Sequence, residues 1–228
     1  PRDREALALP AGQQPSALAD QGVEAIGEPG DEVSQFGGPR GLLAGIVSNG
    51  FASPEVLDYL LPQLDCVKID LKTMSDASYR HLGGRLEPVL ETIRTVHARG
   101  VWMEIVTLVV PGFNDSPEEL RAAAEFIASV SPDIPWHVTA FHADYRRLDG
   151  EQRTPAGTLQ RARRLGLEAG LRYVYSGNVW LGDGNAERTD CPGCGVALVE
   201  RSWFTVRRVA IVDGKCPKCG VRAPGIWS

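Results

Sequence analysis

The sequence has 228 residues, a formal net charge of -5 and a pI near 5.4, and 43% of its residues are apolar. This is enough apolar material for a real core, and the acidic balance argues against nucleic acid or an acidic membrane surface as a partner. No apolar run approaches the roughly 20 residues of a membrane helix, and no signal-peptide pattern opens the sequence. We therefore expect a cytoplasmic location.

Residues 1–40 differ in amino-acid composition from the rest of the chain. Prolines recur among Gly, Gln, Asp and Glu, at Pro1, Pro10, Pro15, Pro29 and Pro39. Nothing in this stretch keeps a helical or strand period long enough to bury a face. We predict a weakly ordered leader.

Residues 41–188 alternate short apolar strands with helical patterns. The predicted strands cover 45–47, 66–71, 101–110, 136–142 and 173–176, and the predicted helices cover 53–63, 86–99, 116–130 and 154–170. Such alternation is typical of right-handed βαβ units on a parallel sheet. Five strands cannot close an eight-stranded barrel. The prediction is an α/β fold, either an open, partial barrel or one whose further strands lie upstream.

The second predicted strand has a charged face. Lys68, Asp70 and Lys72 share one side, because side chains alternate along a strand. Charges on a buried strand must be paired, solvated or in contact with a ligand. A structural ion pair between Asp70 and Lys72 and a functional site are both open at this stage.

Polar residues also cluster where the predicted strands end, which is where α/β sheets build their sites. They are Asn49, Lys72, Asn114, His142 and Asn178. Glu104 and His137 fall within strands and are predicted to pair with each other or with neighbours. A divalent-metal site using His142, His137 and Asp70 is disfavoured, because the two histidines have opposite strand parity.

Residues 189–228 carry two copies of one cysteine knuckle. Cys191 and Cys194 form the first pair, Cys216 and Cys219 form the second, and each pair is followed by Gly. Two such knuckles supply four thiolates to one tetrahedral ion, with zinc favoured over iron. Four thiolates leave no open position, so we predict a structural metal in a zinc-ribbon-like module, built on a hairpin-like run between residues 203 and 211. Cys66 is predicted to be a packed core thiol.

Several segments together resemble a known family. They are Ser48-Asn49-Gly50, Ile69-Asp70-Leu71-Lys72, the run from Leu108 to Asp115, the run from Phe141 to Tyr145, and the run from Val174 to Val179, followed by the paired CPxCG knuckles. In this order they resemble the radical S-adenosylmethionine enzyme of the AmmeMemoRadiSam system, which is similar to pyruvate formate-lyase activating enzymes. The resemblance covers residues 41–228.

The resemblance implies a partial (β/α) barrel of the TIM-like type. It implies reductive cleavage of S-adenosylmethionine at a four-iron four-sulfur cluster, giving a 5′-deoxyadenosyl radical that abstracts hydrogen from a substrate, which could be a protein. It also implies that Asp70 contacts the ribose hydroxyls and that Lys72 points toward the cofactor carboxylate. Ser48, Asn49 and His142 would lie around the nucleoside. Contacts of this kind orient a cofactor, and the cofactor itself carries the chemistry.

The sequence departs from that family in two respects. Val47 stands where the activating enzymes have Asp before the Thr-Asn-Gly turn, which puts a cation site there in doubt. The family's CxxxCxxC cluster motif is absent from the printed sequence, and a cluster needs thiolate ligands. We therefore expect this chain to be inactive alone, with the cluster carried by a missing N-terminal segment. The alternative is a non-catalytic partial barrel whose zinc ribbon serves as a binding or scaffold module.

Overall fold

A computed structural model describes residues 43–143, 153–178, 188–202 and 205–227. The predicted leader, Asp144, Tyr145, and the aromatic pair Trp203 and Phe204 of the predicted hairpin lie outside the described residues. No helix in these ranges is long and apolar enough to cross a membrane.

A five-stranded parallel sheet organises residues 45–177. Its strands are β1 (Gly45–Ser48), β2 (Cys66–Asp70), β3 (Trp102–Val109), β4 (Trp136–Ala140) and β5 (Val174–Gly177). They lie in sequence order, β1-β2-β3-β4-β5, and every neighbouring pair is parallel. Sequence alternation therefore predicted the sheet correctly. Within the described residues the sheet is open, with β1 and β5 at its edges.

Helices connect the strands. They are α1 (Pro54–Leu60), followed by a 3₁₀ turn (Leu61–Gln63), then α2 (Asp76–His81), α3 (Leu86–Ala98), α4 (Pro117–Val130) and α5 (Ala156–Glu168). The hydroxyls of Ser53, Ser75 and Ser116 cap α1, α2 and α4 by accepting a backbone N–H three residues on, which satisfies one of the amides that a helix start leaves unpaired. The six-residue α2 was not predicted, because it is too short for its apolar spacing to show a period.

The sheet has two different faces. The face packed on the helices carries fully buried apolar residues, among them Ile69, Ile105, Trp136 and Val138. The other, which we call the polar face, carries Lys68, Asp70, Glu104, His137 and Tyr175. The pairings Lys68↔Glu104 and Val106↔His137↔Tyr175 place these side chains in adjacent rows. The strands thus bring ionisable groups together on one side of the sheet.

A second, antiparallel sheet forms the C-terminal part of the chain, which we call the ribbon (residues 188–227). It contains β6 (Thr189–Asp190), β7 (Ala197–Ser202) and β8 (Thr205–Val209), in the order β6-β7-β8. Among the described residues, its buried apolar cluster is separate from the main core and consists of Cys191, Leu198, Cys216 and Ala223. A core of this size needs a further source of stability.

Candidate functional site

Asp70, the last residue of β2, forms an ion pair with Lys72, two residues beyond the strand. Lys72 Nζ lies 2.7 Å from Asp70 Oδ2, while Lys68 Nζ is 3.9 Å from Asp70 Oδ1. The Asp70 side chain is 26% exposed and that of Lys72 is 38% exposed. An ion pair this accessible contributes at most about 1 kcal/mol to stability, so the fold does not depend on it. Both groups are open to a ligand.

The backbone of Lys72 is held far more firmly than its side chain. Its N–H donates to the Tyr79 hydroxyl at 3.0 Å, and its carbonyl accepts from Asn114 Nδ2 at 2.6 Å. On either side, Thr107 Oγ1 donates to the Leu71 carbonyl, and the Glu119 carboxylate accepts from the Met74 N–H. Buried partners from three elements therefore fix the direction in which Lys72 leaves the sheet, which preorganises it for binding.

Tyr79 is part of that support. Its ring is buried, and burial raises the pKa of the phenol. The hydrogen bond from the Lys72 N–H lowers that pKa, but by less. The hydroxyl therefore stays neutral and accepts the Lys72 N–H hydrogen bond across the physiological pH range.

Asn114 was grouped with the polar strand-end residues, but the structure gives it a structural position. Its side chain is buried, accepts from the Val110 N–H at 2.7 Å, and donates to the carbonyls of Lys72 and Leu108. These bonds join the loop after β2 to the loop after β3. The amide has no spare hydrogen-bonding group to offer an acceptor on a ligand.

Ser48 ends β1, and Asn49 lies in the turn that follows it. Register pairs Ser48 with Ile69 instead of Asp70, and the Ser48 hydroxyl accepts the Gly50 N–H at 3.1 Å. Asn49 is exposed, and its Oδ1 accepts the Phe51 N–H at 3.0 Å. Both side-chain oxygens therefore stabilise the turn.

His142 lies two residues beyond β4 and is exposed. Because β3 separates β2 from β4, the two strand ends are about 10 Å apart, a span that suits a nucleoside-sized molecule better than a shared ion. Asn178, at the end of β5, adopts a left-handed backbone with φ of 59° and donates to the Ala140 carbonyl at 3.4 Å.

Sequence reasoning missed Thr154 at this edge. Its buried hydroxyl accepts the Phe141 N–H at 2.8 Å and also contacts the Val109 carbonyl. Thr154 therefore fixes the chain just before His142 to the end of β3. A single threonine before a helix gives no sequence signal for such a long-range contact.

Glu104 and His137 pair on the polar face, as predicted. His137 Nε2 is 2.8 Å from Glu104 Oε2, and the Trp102 indole donates to Glu104 at 3.4 Å. Burial acts to raise the pKa of Glu104, but His137, Trp102 and Arg201 more than offset it and lower that pKa. The carboxylate is therefore charged at neutral pH and can hold the imidazole in one orientation.

The four ribbon cysteines come together as the knuckle spacing predicts. Their sulfurs all lie within 4.8 Å of one another, and the Sγ–Sγ distances are 3.4 Å for Cys191 to Cys219 and 3.7 Å for Cys194 to Cys216. A tetrahedral zinc with Zn–S bonds of about 2.3 Å requires sulfurs about 3.8 Å apart. The donor set therefore fits a closed tetrahedral metal site.

Backbone geometry in both knuckles supports that fit. Gly195 donates to the Cys191 carbonyl and Gly220 donates to the Cys216 carbonyl, each at 2.9 Å, with φ near +70° in both glycines. Desolvation acts to raise the pKa of the Cys216 thiol, but the N–H groups of Cys219 and Lys218 help lower it to about 6. A thiolate is the form that binds a metal.

Comparisons with known proteins find activating enzymes among the similar sequences. No family model matches the sequence. The benzylsuccinate synthase activating enzyme of Thauera aromatica is 27% identical over 167 residues, covering 66% of this chain and 50% of that protein. The isethionate sulfite-lyase activating enzyme of Oleidesulfovibrio alaskensis is 30% identical over 94 residues, covering 39% and 30%. The chain is thus homologous to activating enzymes.

Two further comparisons extend this result. An uncharacterized protein of Methanocaldococcus jannaschii is 35% identical over 184 residues, covering 79% of this chain and 54% of that protein. A crystallised domain of pyruvate-formate lyase-activating enzyme from Bacteroides vulgatus shares the fold, with a TM-score of 0.55 at 22% identity over 64% of this chain and 87% of that one. The chain spans about half the length of the first two curated relatives.

The residues present do not fit an iron-sulfur cluster at the carboxyl edge of the sheet. The sequence has five cysteines, four of which are in the ribbon knuckles. The fifth, Cys66, opens β2 at its amino end and is partly buried. No set of three thiolates therefore faces Lys72 within the described residues, and no reaction step can be assigned to a cluster held by this chain.

Proposed function

We propose that this chain carries the S-adenosylmethionine-binding part of a radical S-adenosylmethionine activating enzyme, of the kind found in the AmmeMemoRadiSam system, on a partial (β/α) barrel. Homology to activating enzymes supports the class. The observation that carries the proposal is the Asp70–Lys72 pair, accessible to a ligand and projecting from a loop whose backbone is fixed by Tyr79 and Asn114.

Each edge residue has a role in this proposal. Asp70 accepts hydrogen bonds from ribose hydroxyls, and Lys72 pairs with the amino-acid carboxylate of S-adenosylmethionine. Asn49, His142 and the Ser48 turn flank the nucleoside. Cleavage of S-adenosylmethionine in this class supplies a 5′-deoxyadenosyl radical that takes hydrogen from a substrate. The cluster would come from protein outside the printed sequence, so this chain alone binds the cofactor without cleaving it.

The proposal is tested by calorimetric titration of S-adenosylmethionine into three forms of the chain. We expect measurable binding by the unchanged chain and at least tenfold weaker binding by Lys72→Ala, a loss of about 1.4 kcal/mol. Lys68→Ala is the matched control, because Lys68 is a lysine on the same strand face, one step farther from the edge. It should bind within about threefold of the unchanged chain.

Thermal stability separates this proposal from a structural ion pair. Because the Asp70–Lys72 pair is accessible, Lys72→Ala should melt close to the unchanged chain. An unchanged dissociation constant combined with a large fall in melting temperature would show that the pair serves the fold instead.

A second candidate function is a non-catalytic binding or scaffold module. The absence of a three-thiolate set at the sheet edge, within the described residues, favours it. This candidate predicts no saturable binding of S-adenosylmethionine by any of the three forms, so the same titration decides between the two. In both cases we propose zinc at the four ribbon cysteines, since the sulfur spacing fits its bond length.

A further inference from the structure

The ribbon contacts the polar face of the parallel sheet at one aromatic side chain. The Tyr175 hydroxyl is 2.8 Å from Thr189 Oγ1, and the Arg201 guanidinium carbon lies 5.0 Å from the centroid of the Tyr175 ring. Both partners belong to the ribbon, whereas Tyr175 belongs to β5. Two independent contacts of different chemistry therefore join the two sheets at this point.

Tyr175 also contacts His137, which belongs to the ionisable pair of the polar face. Its ring centroid is 5.1 Å from that of His137, and His137 in turn bonds Glu104 at 2.8 Å. Tyr175 is only 9% exposed. A buried hydroxyl that lost its partner would be left unsatisfied, which is costly, so the Thr189 contact constrains where the ring can lie.

The cysteine site lies very close to both ribbon contacts along the chain. Thr189 is two residues before Cys191, and it pairs with Val199 of β7, which places Arg201 two residues farther along the same strand. The Cys191 N–H also donates to the Val196 carbonyl just before β7, at 2.8 Å. Fixing Cys191 in a knuckle therefore fixes the end of β6 and the start of β7.

We propose that Thr189 and Arg201 are positioning residues through which the metal-bound ribbon holds Tyr175, and with it the His137–Glu104 pair, in place on the polar face of the sheet. Of the ribbon residues that the structure describes, four are buried in its own cluster, so metal binding supplies much of its folding energy. Loss of the metal frees β6 and β7 and removes both ribbon contacts of Tyr175. This goes beyond the proposed function, because the coupling holds whether or not S-adenosylmethionine binds.

The test is hydroxyl-radical footprinting of the full chain with mass-spectrometric localisation, in the zinc-loaded form and after chelation. Three tyrosines provide an internal scale. Tyr59 is 56% exposed and gives the upper reference, while Tyr79 is 4% exposed, bonds the Lys72 backbone, and gives the lower one. We expect chelation to raise oxidation of Tyr175 at least fivefold, toward the Tyr59 level, and to leave Tyr79 unchanged.

Variants in the zinc-loaded chain separate the contact from ribbon folding. Thr189→Val combined with Arg201→Gln should keep one zinc per chain, raise oxidation of Tyr175 severalfold and shift the imidazole NMR signals of His137. Restoring a cation with Arg201→Lys in the Thr189→Val background should recover part of the protection. Arg207→Gln is the matched control, since Arg207 lies on exposed β8, and it should change neither signal.

Three outcomes would overturn the proposal. Tyr175 could stay protected after chelation, or the double variant could leave Tyr175 and His137 unchanged. Alternatively, Tyr79 could become oxidised together with Tyr175, which would show that the metal supports the whole fold and not this contact. S-adenosylmethionine binding enters none of these readouts, so a failure here is distinguishable from a failure of the proposed function.

Discussion

At the scale of single residues, a side chain at the catalytic edge of an α/β sheet can serve the fold alone. Asn114 bonds three backbone groups, from the loops after β2 and β3 and from β3 itself, while it is only 2% exposed. Replacing it would remove the side-chain partner of one N–H and two carbonyls in a buried place, and such losses are costly.

We therefore expect Asn114→Ala to lower the free energy of unfolding by about 3 kcal/mol, measured by urea denaturation. The control is Asn49→Ala, since Asn49 is exposed and bonds only to the nearby Phe51 N–H. It should cost less than about 0.5 kcal/mol. Equal effects of the two substitutions would contradict the structural role given to Asn114.

Sequence spacing predicted some of these residues and not others. Their positions within strands predicted that Glu104 and His137 pair with each other or with neighbours, and the structure shows the hydrogen bond between them. The sequence did not reveal that Asn114 supports the fold. Its position after a strand is the same whether the side chain points outward or into the loop beside it. The contacts of Thr154 and Arg201 depend on residues distant in sequence, which local patterns cannot reveal.

At the scale of elements, the turn between β1 and α1 needs a glycine for two reasons. Gly50 has φ of +73°, and a Cβ there would lie 2.8 Å from Ile69 Cγ2 and 3.0 Å from Val89 Cγ1. Gly83 has a similar φ of +82° but nothing within 4 Å of the added atom. Comparing an alanine substitution at each position therefore separates the cost of backbone strain from the cost of crowding.

We expect Gly83→Ala to cost about 1 kcal/mol, from the left-handed backbone alone. Gly50→Ala should cost about 3 kcal/mol, because overpacking against β2 and α3 adds to the same strain. Chemical denaturation of both variants measures the difference. A Gly50→Ala variant as stable as Gly83→Ala would mean that the turn can move away from Ile69 at little cost.

The ribbon should behave as a separate folding element. Cys191→Ser removes one of four thiolates, so we expect it to abolish hydrogen-exchange protection in β7 and β8 while β2 and β3 keep theirs. The control is Cys66→Ser, which makes the same chemical change outside the ribbon and should leave β7 and β8 protected. A uniform loss of protection in Cys191→Ser would rule out this division of the chain.

Short elements show where sequence patterns stop being informative. The four longer helices and all five parallel strands have enough residues for apolar spacing or alternation to show, and the predicted boundaries lie within a few residues of those found. Helix α2 covers six residues and buries only Tyr79, so its sole sequence signal was the Ser75 cap.

At the scale of the whole molecule, metal content tests the assignment of the cysteines. We expect one zinc per chain, with no iron or acid-labile sulfide, even after anaerobic reconstitution with iron and sulfide. Elemental analysis beside an untreated sample measures this. About four irons with matching sulfide would mean that the ribbon thiolates hold a cluster, and both the zinc assignment and the expected inactivity of this chain alone would then be wrong.

The outer edge of β1 has a practical consequence for anyone handling this chain in isolation. Along the described residues no strand pairs with that edge, and Leu43, Val47 and Phe51 near it are all more than half exposed. A row of unpaired amides flanked by apolar side chains is a template for intermolecular strand addition. The isolated chain is therefore expected to self-associate through this edge as its concentration rises, which light scattering over a dilution series measures.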